Sequence, residues 1–101
     1  MATEIFNGAI NTTGQTSGPM PTRATSQFFQ FNFTGTSVGT ARVQVAESET
    51  GTFVDYAGAN QAIDNTNPCV MQFTDFPAPW ARIVIDVSSG SGSAVVTLTG
   101  K

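Results

Sequence analysis

Between residues 80 and 99 the side chains alternate with a period of two on both sides of a serine–glycine spacer. Ala81, Ile83, Ile85 and Val87 fall on one face, and Trp80, Arg82, Val84 and Asp86 fall on the other. After Ser88-Ser89-Gly90-Ser91-Gly92-Ser93, a second apolar row of Ala94, Val96 and Leu98 is opposed by Val95, Thr97 and Thr99. A helix, with its period of 3.6, scatters such a pattern around its circumference, whereas a strand sorts it into one buried and one outward face. The pattern predicts two strands joined as an antiparallel hairpin with a flexible tip at 88–93.

The rest of the chain is written in the same grammar. Over 26–34, Phe29, Phe31 and Phe33 alternate with Gln30 and Asn32, which puts three rings on one core-facing side and Phe28 on the other. Over 40–46, Ala41, Val43 and Val45 point inward, with Arg42 and Gln44 outward. Further strands are expected at 3–7, 52–57, 61–64 and 69–74, the last through Cys69, Met71 and Phe73. Turns are expected at 35–39, 47–51, 58–60 and 65–68. The facing of 52–57 is ambiguous, because Phe53 and Val54 cannot both point inward without a bulge. Pro77 and Pro79 make 75–79 an extended link along an edge or between sheets. The stretch 8–25, with Gly8, Gly14, Gly18, Pro19 and Pro21 among Thr, Asn and Ser, reads as a long loop or arm. It is either a mobile surface loop or an arm ordered by a partner. About eight short strands and no amphipathic helix predict an all-β fold. The expectation is one antiparallel β-sandwich over 1–101, with jelly-roll or immunoglobulin-like topology and an N-terminal loop or arm.

Composition narrows the function classes. Only 11% of the 101 residues are charged, and the net charge is −3. Polarity is carried instead by 15 Thr, 8 Ser, 6 Asn and 6 Gln. Such a surface either reflects the strand preference of Thr or suits coverage by a neighbour without burying ions. Four basic residues, Arg23, Arg42, Arg82 and Lys101, do not make a phosphate-tracking stripe, so no nucleic-acid partner is expected. No apolar run approaches the roughly 20 residues of a membrane helix, and residues 1–4 do not read as a secretory signal. Cys69 is the one cysteine and is expected as a small buried hydrophobe, in keeping with a reducing cytosol.

Reactive constellations are sparse. Without histidine there is no serine triad of the usual kind and no imidazole metal site. Glu47, Glu49 and Asp55 are a candidate calcium cluster, or simply a solvated acidic turn. Asp64 and Asp75 are a formal glycosidase pair that nothing places together. Trp80 and Tyr56 are candidate sugar-stacking rings, although packing beneath the 75–79 link is the preferred reading of Trp80. No enzyme activity, cofactor or metal is expected.

Two stretches carry a resemblance. Ala41-Arg42-Val43-Gln44-Val45-Ala46-Glu47-Ser48 with Gly51-Thr52-Phe53-Val54-Asp55, and Trp80-Ala81-Arg82-Ile83-Val84-Ile85-Asp86-Val87 with 94–98, resemble small β-sandwich virion proteins of tailed bacteriophages. In those proteins a "VQV" strand leads through a polar turn into an aromatic residue, Val and Asp. The resemblance implies a structural protein of the virion, made in the host bacterial cytoplasm. It implies a capsid decoration (cement) protein first, sitting at joints between major capsid subunits as a trimer and stabilising the shell. A tail or fibre accessory protein comes second, and a carbohydrate-binding sandwich is the alternative outside the virion. Phe6, Ile10, Met20, Arg23 and Trp80 are the candidate partner-contact residues.

Overall fold

The strands of the computed structural model fall into two antiparallel sheets, and it describes residues 2–11, 14–22, 27–73 and 79–100. They are β1 (Ala2–Ile10), β2 (Gln15–Thr16), β3 (Met20–Pro21), β4 (Gln27–Gly35), β5 (Val38–Ala46), β6 (Val54–Ala62), β7 (Cys69–Phe73), β8 (Trp80–Ser89) and β9 (Gly92–Gly100). One sheet, A, has the order β1-β9-β4-β7. The other, B, has the order β2-β8-β5-β6, with β3 also on β8. β2 opposes Val84 and Ile85, and β3 opposes Trp80 and Ala81, so the two are halves of one interrupted strand along β8. Counted that way each sheet has four strands. The chain changes sheet at each connection between those eight strands except the β5–β6 hairpin. This wrapping is the jelly roll, which decides between the two topologies that the alternation left open.

The inward rows are those that the alternation predicts. Phe29, Phe31, Val43, Ile83, Ile85 and Val96 are completely buried between the sheets, with Ala41, Ala81, Ala94 and Leu98 beside them. Phe29 meets Phe73 edge-on at 5.9 Å between ring centroids, and Phe31 stacks on Phe33 at 6.0 Å. Each large side chain removed from water this way contributes about 2 kcal/mol.

The hairpin expected over 80–99 is not formed. β8 pairs with β5 and with β2 and β3, and β9 pairs with β1 and β4. Residues 90–91 therefore cross from sheet B to sheet A, and the two apolar rows face each other across the core. Alternation reports which face of a strand is buried and carries no information on its neighbour. Nor is the crossover a loose tip. Thr36 N–H donates to Ser91 O at 2.9 Å, Ser88 Oγ to Val38 O at 3.1 Å, and the Thr34 and Ser93 hydroxyls lie 2.7 Å apart. These bonds tie the β8–β9 crossover to the β4–β5 crossover, and Asn65 Nδ2 adds a bond to Ser37 O at 2.9 Å.

The stretch 8–25 also departs from expectation. β1 runs on to Ile10, and the described residues of 14–22 lie along β8 rather than away from the sandwich. Ser17 bridges the interruption between the two halves. Its N–H donates to Ile83 O at 3.1 Å, and its Oγ accepts from Ile83 N–H at 2.9 Å. Gly18 and Pro19 break the strand, and Pro21 stands on an edge where its missing N–H costs nothing. In β6 the turn expected at 58–60 is instead a bulge. Gly58 adopts φ 81°, and the register against β5 shifts between Arg42 and Gln44, so residues on both sides of it belong to one strand.

Candidate functional site

The outward face of sheet B gathers the chemistry. Strand alternation brings Trp80, Arg82 and Asp86 out of β8, and the β5–β8 register sets Ala46 opposite Trp80, Gln44 opposite Arg82, and Thr40 opposite Asp86. Pro21 of β3 flanks Trp80 on the other side. Asp55 of β6 stands opposite Gln44. The side chains form a continuous relay. Arg82 Nε donates to Gln44 Oε1 at 2.8 Å, and Gln44 Nε2 donates to Asp55 Oδ1 at 2.8 Å. Arg42 Nε faces the same Asp55 oxygen at 3.1 Å, while its Nη1 pairs with Asp86 Oδ2. Asp86 Oδ1 in turn accepts Gly14 N–H at 2.8 Å, which fastens the start of the 14–22 segment to the sheet. At the other end, the Arg82 guanidinium lies 4.6 Å from the ring centroid of Phe53. The Gln44–Asp55 end of the relay is exposed, where a salt bridge contributes only about 0–1 kcal/mol, while the Arg42–Asp86 and Arg82–Gln44 contacts are part-buried.

The five candidate contact residues do not share a surface. Trp80 is outward and half-buried, as the alternation places it. Phe6 and Met20 are half-buried and pack against the core, Met20 opposite Ala81. Ile10 is completely buried between the sheets, which corrects its reading as a partner-contact residue: its side chain is not available to a partner. Arg23 lies outside the described residues. Tyr56 and Trp80 do not form a two-ring platform either. Tyr56 points inward and packs on Phe73 at 5.2 Å, on the opposite side of sheet B from Trp80.

The remaining chemistry is local. Among the described residues no three of His, Cys, Asp and Glu come together as metal ligands, and Asp55 of the candidate calcium cluster is engaged by Arg42 and Gln44. Asp75 lies outside the described residues. Asp64 closes its own turn, accepting from Thr66 Oγ1 at 2.7 Å, Thr66 N–H at 2.9 Å and Asn67 N–H at 3.1 Å. The side-chain bond from Thr66, then the backbone bonds, hold its carboxyl below the usual range. Cys69 is a buried free thiol, pushed up by burial first and by the Asp64 charge second. It is therefore protonated at neutral pH, and iodoacetamide is expected to label it at least roughly tenfold more slowly in the native protein than in urea. Equal rates would show that the thiol is not shielded. Among the described residues no helix is long and apolar enough to cross a membrane.

Sequence reasoning identified Arg42, Gln44, Arg82 and Asp86 as outward residues of two separate strands but did not assemble them. The signal was present as polar residues at matching spacing in 40–46 and 80–87. Only the β5–β8 register, a pairing across 38 residues between Gln44 and Arg82, turns it into a site.

No protein-family model matches this sequence, and no curated protein matches it. Solved structures share the fold. PirA superposes with a TM-score of 0.58 at 12% identity, over 98% of this chain and 92% of its own. The SPBc2 prophage-derived protein YomS gives 0.58 at 11% identity over 98% and 92%. The CBM36-1 domain of a multidomain xylanase from the hindgut metagenome of Trinervitermes trinervoides gives 0.54 at 8% identity over 100% and 98%. At such identities the likeness is one of fold: the chain is a β-sandwich module with the architecture of a prophage-derived protein and of a carbohydrate-binding module.

Proposed function

We propose that the chain is a non-enzymatic structural protein of a bacteriophage virion. In this reading it is a decoration protein that binds at joints between major capsid subunits, as a trimer, and stabilises the shell. The observation that carries the reading is the outward face of sheet A. β4, β7 and β9 contain no Asp, Glu, Lys or Arg, and the strands present Gln30, Asn32, Thr97 and Thr99 to the outside with Val70 and Phe28 among them. On sheet A, Glu4 of the edge strand β1 is the one ionisable group among the described outward side chains. A face of this kind is covered by a neighbour without the cost of desolvating charge. From strand rise and spacing it measures about 30 by 15 Å, roughly 450 Å². That falls short of the roughly 800 Å² per partner of a standard interface. Single contacts through it are weak, and a symmetric lattice that repeats them supplies the avidity. The resemblance of 41–55 and 80–98 to phage virion proteins, and a fold shared with a prophage-derived protein, support the same reading.

Quantitative mass spectrometry of purified particles tests it. The expected result is a copy number near one per major shell subunit. A few copies per hundred subunits would place the protein in the tail or fibres instead, and absence from particles would overturn the virion reading. A sugar-binding module is the second reading, favoured by the outward Trp80 and by the fold shared with CBM36-1. Quenching of Trp80 fluorescence by a polysaccharide would support it.

A further inference from the structure

The two arginines among the described residues are held in different ways. Arg42 lies between two carboxylates, Asp55 and Asp86. Arg82 meets no carboxylate among the described residues, although the chain has seven acidic side chains to four basic ones. Its Nε is committed to Gln44, and its Cζ lies over the Phe53 ring, 4.6 Å from the centroid. A guanidinium carries five N–H donors. The four on Nη1 and Nη2 have no acceptor among the described residues. Two contacts thus hold the group, and among the described residues they leave its charge without a carboxylate partner and its outer fork unused.

The surroundings specify what such a fork takes. Two parallel N–H bonds match the two oxygens of a planar carboxylate. Holding the fork in advance removes most of the rotamer entropy that binding would otherwise cost. A doubly charged phosphate is a poorer match, because Asp55 stands one hydrogen bond behind Arg82 through Gln44. Trp80 stands two residues along the same outward row, about 7 Å away by strand rise, with Pro21 beside it. Arginine and tryptophan side by side on an open sheet face are the residue types on which protein–protein binding energy concentrates.

We propose that Arg82, flanked by Trp80 and Phe53, is the anchor of a partner-binding surface, and that it grips an aspartate or glutamate side chain of the partner protein. That the partner is a shell subunit rests on the virion reading above; the carboxylate chemistry does not.

Trp80 is the chain's lone tryptophan and reports on its own neighbourhood. Its emission is to be followed while the full chain is titrated, at low salt, with the blocked peptide acetyl-Gly-Glu-Gly-amide and with its glutamine counterpart. The glutamate peptide is expected to shift the emission saturably and the glutamine peptide is not. Arg82→Gln is expected to weaken the response at least roughly tenfold, and Arg82→Lys, which keeps the charge without the fork, to fall between. No shift with the glutamate peptide, an undiminished shift in both variants, or an equal shift with inorganic phosphate would each overturn the assignment. Particles separate this inference from the reading it extends. Wild-type protein missing from particles counts against the virion reading alone. Wild-type and Arg82→Gln protein retained equally on particles would remove Arg82 from the contact and leave the virion reading standing.

Discussion

Replacing Gly92 by alanine is expected to destabilise the protein by about 3–5 kcal/mol, a large part of the roughly 5–15 kcal/mol that holds a domain of this size together. A Cβ at this position would stand 2.0 Å from Thr34 O and 2.9 Å from Ser37 Oγ. The first of these atoms is backbone and cannot swing aside. Gly90 is subject to the same constraint twice over, with φ +76° and a Cβ 2.1 Å from Thr36 O. Both glycines let the β8–β9 crossover lie directly on the β4–β5 crossover. Urea unfolding followed by Trp80 fluorescence checks the effect, with Gly8→Ala as the control. Gly8 has no atom within 4 Å of a built Cβ, so its variant is expected within about 1 kcal/mol of wild type. A Gly92→Ala midpoint equal to that of Gly8→Ala would show that the two crossovers are not in contact.

Phe31→Ala is expected to cost about 3–5 kcal/mol through lost burial and the cavity left behind. Phe31 is completely buried, stands in β4 between Cys69 of β7 and Val96 of β9, and stacks on Phe33. Neighbours on three strands hold the space open, so collapse into it is limited. The comparison is Val54→Ala, at a site 56% exposed, which is expected to change stability by less than about 0.5 kcal/mol. An unchanged denaturant slope with a lower midpoint would mark the loss as one of packing. A Phe31→Ala midpoint close to that of Val54→Ala would mean that the ring is not in the core.

Much of this fold can be read from residue order. The rows Phe29-Phe31-Phe33, Ala41-Val43, Ala81-Ile83-Ile85-Val87 and Ala94-Val96-Leu98 are buried as their alternation predicts. Val45 is only half-buried at the end of β5, whereas Ala46, opposite Trp80 on the outward face, is buried. What alternation leaves out is partnership. The serine–glycine spacer at 88–93 carries the composition of a hairpin turn and of a sheet-to-sheet crossover alike, and the choice is made by β5 and β4 occupying the edges that a hairpin would need. The stretch 14–22 was illegible for another reason. Ser17 completes the β8 ladder with a hydroxyl, and no strand propensity announces that. The candidate site divides along the same line. The outward placement of Trp80 follows from local order, whereas the Arg82–Gln44–Asp55–Arg42 relay depends on three strands meeting in one register.

The order β1-β9-β4-β7 also sets a timetable. β9 comes last of the strands yet sits between β1 and β4 in the middle of sheet A. During synthesis from the N-terminus, β1 has no lateral partner in that sheet until residues 92–100 are available. Phe29, Phe31 and Phe33 of β4 must wait with one flank open. Pairing of such distant segments is slow, because loop closure precedes any gain from contact. The nascent protein therefore carries a phenylalanine-rich strand with one flank unpaired until residues 92–100 arrive, and the interval in which that flank is open to association with other chains ends only when β9 slots in.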